Sequence, residues 1–180
     1  PWVIMLTITI LQFTTLAMKG GAYVYYFENY VSKNSLNDFI SPIIDFLSSI
    51  GINFFGSDPV SAGFGLFNAG GIIFMIIGIG LSKMLADKYG KRNVFGVFLF
   101  ISTLFIMVFY VLSPDSINLI FGAQIFHGFF YGITIPLLWA MIADVADYSE
   151  WKNNRRATAI IFSAMMVGLK LGLSIGGALL

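Results

Sequence analysis

Cysteine is absent from the 180 residues, so neither a disulfide framework nor a thiolate metal site can form. Charge is scarce as well: Asp, Glu, Lys and Arg make up 11% of the chain, well below the roughly 25% usual in soluble domains. The net charge is +1 and the bases are too dispersed for a phosphate-tracking stripe, so nucleic acid is not an expected partner. The single histidine has no second histidine or cysteine nearby, which gives no metal-ligand set. No nucleophile with its base and no pair of catalytic acids falls at a shared depth. Enzyme chemistry is therefore not expected, and no cofactor is implied.

What is present is apolar. Hydrophobic residues make up 58% of the chain and its mean hydropathy is +0.86. They come in runs near or above the roughly 20 residues that a helix needs to cross a bilayer, unlike the roughly 10-residue alternating segments of membrane barrels. The expected fold class is all-α, a polytopic transmembrane helical bundle in membrane lipid. The spans read as 2–30, 60–82, 94–112, 117–143 and 157–180, joined by segments 31–59, 83–93, 113–116 and 144–156. The first span carries a weak point at Lys19, Gly20 and Gly21. It closes on Tyr23, Tyr25, Tyr26 and Tyr30, where an interfacial aromatic belt would sit. Between Ser32 and Asp58, Leu36, Phe39, Ile40, Ile43, Ile44, Phe46 and Leu47 spell a short amphipathic helix, with Pro42 expected near its first turns. The glycines of the second span suit close helix contacts in lipid. Lysine and arginine counts place segments 83–93 and 144–156 in the cytoplasm, and segments 31–59 and 113–116 outside.

Three groups of residues could carry function. The densest charge lies between Asp144 and Arg156, where Asp144, Asp147, Tyr148, Glu150, Trp151, Lys152 and Arg156 follow one another. On a continuing helix Asp144, Asp147, Tyr148 and Trp151 share a face, opposite the basic segment of Asp87, Lys88, Gly90, Lys91 and Arg92. Ion pairs here can latch two bundles and release them; ordinary solvated charges at a helix end are the plainer reading. In the fourth span Gln124, His127, Tyr131 and Thr134 recur at three, four and three residues, one helical face. They read either as the lining of a substrate cavity or as interhelical glue worth about 0.6 kcal/mol per bond. Lys170 sits about 13 residues into the last span, roughly 20 Å along the helix. It faces a polar pathway or snorkels to an interface. Lys19 with its glycines reads evenly as a broken-helix element near a site or as another snorkelling lysine. Pro136 can kink the fourth span, though structural proline is common in membrane helices.

Three blocks resemble the glycoside-pentoside-hexuronide:cation symporter family, the melibiose-permease-like branch of the major facilitator superfamily. They are WAMIADVADYSEWKNNRRAT from Trp139, LADKYGKRN from Leu85 and KGGAYVYYF from Lys19. The second departs from the superfamily motif, with Lys83 where a glycine is expected. The resemblance covers essentially the whole chain as helices seven to eleven of a twelve-helix transporter. It thereby implies an amino-terminal half and a final helix beyond it. It also implies a cytoplasmic charge network through Asp144, Asp147, Glu150 and Arg156, and a place for Lys170 beside the sugar and cation cavity. The expected activity is sugar or glycoside symport with sodium or a proton in the inner membrane, working by alternating access. The coupling cation would be bound mainly by the missing half, which is itself the chain's partner. Carriage of a non-sugar solute, or a non-transporting scaffold role, are the rival readings.

Overall fold

The computed structural model describes residues 1–52, 58–154 and 157–180. These form six helices: α1 (Trp2–Asn29), α2 (Lys33–Ser49), α3 (Pro59–Tyr89), α4 (Lys91–Val108), α5 (Ile117–Asn153) and α6 (Thr158–Ala178). All except α2 are long and apolar enough to cross a membrane. At 1.5 Å per residue α5 is roughly 55 Å long and α3 roughly 46 Å. Both exceed a hydrocarbon slab of about 30 Å, so their charged ends must project from it.

Local chemistry sets the boundaries. Asp58 caps α3, its carboxylate accepting from the Ser61 backbone N–H at 2.9 Å and the Ser61 hydroxyl at 2.7 Å, and Pro59 occupies the first turn. Those Ser61 hydrogen bonds hold the Asp58 carboxyl below its ordinary pKa. Gly90, at φ 83°, alone separates α3 from α4. The basic segment 83–93 is thus helical on both sides of one glycine, and the acidic segment continues α5 to Asn153.

Three expectations are corrected. Lys19, Gly20 and Gly21 do not break α1, which is continuous through them because its backbone hydrogen bonds need no side chain there. Pro42 lies in the interior of α2, the tenth of its 17 residues, because the helix already starts at Lys33. The tyrosines do not form one exposed belt: helical periodicity turns Tyr23 into the core while Tyr25 and Tyr30 stay exposed.

Two helix pairs meet backbone to backbone. A Cβ on Gly128 or Gly132 of α5 would collide with the carbonyl oxygen of Gly71 or Met75 on α3. One on Gly172 or Gly176 of α6 would strike that of Ile10 or Thr14 on α1. Helix α4 instead lies on α5 through rings, Phe105 stacking on Phe126 and Phe130 at 5.4 and 5.6 Å. The core divides into an aromatic half under α2, around Phe27, Phe67, Phe109 and Ile120, and an aliphatic half toward Gly90, around Leu138, Ile142 and Met165.

Candidate functional site

Midway along the bundle, polar side chains of α1 and α5 face each other. The Lys19 Nζ lies 2.7 Å from His127 Nε2, and His127 Nδ1 lies 3.0 Å from the backbone oxygen of Ser102 on α4. A carbonyl only accepts, so Nδ1 carries the proton and donates it, which leaves the Nε2 lone pair to accept from lysine. Among the described residues no carboxylate lies within ion-pair reach of Lys19. Aromatic faces take that place: the ammonium is 5.6 Å from the ring centre of Tyr23 and 5.7 Å from that of Tyr131. Tyr131 stacks on His127 at 5.7 Å, and its hydroxyl accepts from Gln12 Nε2 at 3.4 Å. A cavity of about 360 Å³ opens beside the cluster, lined by Lys19, Ser102, Thr103, His127, Tyr131 and apolar neighbours.

The stripe on α5 therefore splits. His127 and Tyr131 line the cavity, whereas Gln124 packs under Gly71 of α3 and Thr134 is wholly buried, its hydroxyl donating to the Tyr131 carbonyl at 2.7 Å. Lys19 turns inward, which removes its snorkelling alternative. Lys170 is exposed on α6, away from the glycines that meet α1, and does not join the cluster. The sequence singles out neither Gln12 nor Tyr23 as a site residue, Tyr23 being expected in an interfacial belt. Their spacing from Lys19, seven residues before and four after, is the same helical-face signal that marked α5.

At the Gly90 end, Lys91 donates to both carboxylate oxygens of Asp144, at 2.7 and 2.8 Å, with about half of each side chain exposed. Tyr148 and Trp151 stand one turn apart with ring centres at 5.8 Å. Asp87, Lys88, Arg92, Asp147, Glu150 and Lys152 are exposed around them. Arg155 and Arg156 lie outside the described residues.

A family described as MFS/sugar transport protein matches residues 46–180. YagG of Escherichia coli strain K12, provisionally named a glycoside/cation symporter, is 34% identical over 97 residues, 54% of this chain and 21% of its own length. The inner membrane symporter YicJ of the same organism is 34% identical over 106 residues, 58% of this chain and 23% of its own. The isoprimeverose transporter of Lactiplantibacillus pentosus is 23% identical over 179 residues, 99% of this chain and 32% of its own. The chain thus spans about a fifth to a third of the length of these relatives. No solved structure matches it.

Proposed function

The chain belongs to the MFS/sugar transport protein family, and from that premise we propose that the complete protein is a cation-coupled sugar or glycoside symporter working by alternating access. The sugar comes from the names its relatives bear, YagG and the isoprimeverose transporter among them. The single observation that carries the mechanism is the Lys91–Asp144 pair. It ties the α3–α4 turn to the projecting end of α5 and leaves about half of each side chain exposed. Such exposed pairs contribute only about 0 to 1 kcal/mol, so this one opens on the scale at which a ligand shifts populations.

In this reading the Gly90 end faces the cytoplasm of an inner-membrane protein, as the concentration of lysine and arginine there favours. Asp147, Glu150 and Lys152, with Arg156, extend the latch toward an amino-terminal half. His127, Tyr131 and Lys19 contribute to the polar interior. Gln124 and Thr134, enclosed between helices, serve packing. Lys170, exposed on α6, is available to the sugar and cation path that an opposing half would complete. The coupling cation is sodium or a proton. Uptake of a panel of neutral glycosides, pentosides and uronides by vesicles carrying the complete protein, with sodium present or replaced, tests the reading. Accumulation of at least one sugar supports it. A flat response across the panel would move the assignment to a non-sugar solute.

A further inference from the structure

Helices α1 and α6, and likewise α3 and α5, are locked by backbone contact at glycine, whereas α1 and α5 meet mid-span through polar side chains. The central contact of that seam is nitrogen on nitrogen. We propose that Lys19 and His127 form one proton-binding site inside the bundle.

The contact counts protons. Two nitrogens 2.7 Å apart need one hydrogen between them, and His127 Nδ1 is already committed to the Ser102 carbonyl. With no excess proton, a neutral lysine amine donates N–H to Nε2. With one, the ammonium donates along the same line. With two, both groups are cationic donors facing each other with no acceptor between them, and the contact must open. The first proton can therefore load and leave without moving the imidazole. It exchanges at Nζ, where the departing proton passes to water in the adjoining cavity as hydronium and the nitrogen keeps the bonding pair. The second proton parts α1 from α5.

The surroundings suit a proton and not sodium. Sodium, a hard cation, requires several oxygen ligands. Here the nearest groups are two nitrogens and two π faces, and the Ser102 carbonyl is already engaged. The titratable groups facing the pair are Tyr23 from α1 and Tyr131 from α5. From α4 the cavity is lined by Leu99, Ser102, Thr103 and Ile106, none of them titratable. Among the described residues no carboxylate competes for the ammonium.

His127 is the sole histidine of the chain, so ¹⁵N-histidine labelling in lipid bilayers yields one assigned pair of ring nitrogens. The expected spectrum at neutral pH has Nδ1 protonated and Nε2 bare. On acidification, charging of the ring should coincide with a shift of the ¹⁵N-labelled Lys19 Nζ. A protonated Nε2 with a bare Nδ1 at neutral pH, or ring charging that leaves Lys19 unmoved, would overturn the site.

Discussion

The two ends of the bundle are fastened differently. Under α2, Phe27, Leu36 and Ile40 are at most 1% exposed, and Phe27 meets Phe64 and Phe67 edge to face at 5.7 and 4.9 Å. The lid is then tied down by Ser35 donating to Asp115 at 2.8 Å, Tyr30 donating to the Leu112 carbonyl at 2.8 Å, and the Ser32 N–H donating to the Pro114 carbonyl at 3.1 Å. At the Gly90 end the core is aliphatic, and a half-exposed ion pair joins α4 to α5 beyond it. Buried rings resist change because any rearrangement opens a cavity, whereas an exposed ion pair exchanges partners at little cost. Within this bundle one end is therefore held by packing, and the other adds a contact that exchanges at little cost.

The comparison breaks most sharply where the packed end is hollowed. Phe27→Ala should destabilise the protein by about 3–5 kcal/mol, measured by denaturant unfolding in detergent, because the rings around it cannot close the gap. Leu36→Ala comes next at about 2–5 kcal/mol, since Leu36 is the side chain that seats α2 against Gly63. A loss under 1 kcal/mol in both would mean that α2 is a surface decoration and not a lid.

Leu36 also shows what is legible in the sequence. The spans and the amphipathic α2 follow from composition and period, because burying a stripe or a whole helix leaves that mark on the sequence. What was not legible is the choice of partner. The α5 stripe of Gln124, His127, Tyr131 and Thr134 is real as a helical face, yet two of its members point into packing and two into the cavity. A single helix's periodicity does not say which neighbour covers which part of a face. The Lys19–His127 contact spans 108 residues of sequence, and the glycines that decide how closely α1 and α6 approach act only in pairs of helices.

Acid separates the ends more gently. Hydrogen bonds from Ser35 and Ser32 hold the Asp115 carboxyl below its ordinary pKa, as Ser61 does for Asp58. A carboxyl depressed in the folded state stabilises it fully above the unfolded value of about 3.9 and ceases to do so as pH falls through the depressed value. Amide protection relative to intrinsic exchange in α2 and in residues 113–116 should therefore fall below about pH 4, while the amides around Phe27 stay protected. Asp115→Asn should remove part of that pH dependence. Exchange that rises equally throughout the bundle would show that these carboxylates do not tie the lid.

The smallest effect on stability falls at the other end, and its smallness is the point. Asp144→Asn should shift unfolding by no more than about 1 kcal/mol, since an exposed pair contributes little net energy. It should nevertheless slow sugar uptake by the complete protein while leaving binding from the outer side largely intact, because a latch biases two states that are closely balanced. Exchanging the charges, Lys91→Asp with Asp144→Lys, restores the attraction between the same two positions and should recover part of the uptake that either single change removes. Full transport by an Asp144→Asn, Asp147→Asn variant would reduce this end to a solvated helix terminus. Recovery by the swap would separate a pair that works by mutual attraction from two charges that each serve a different partner.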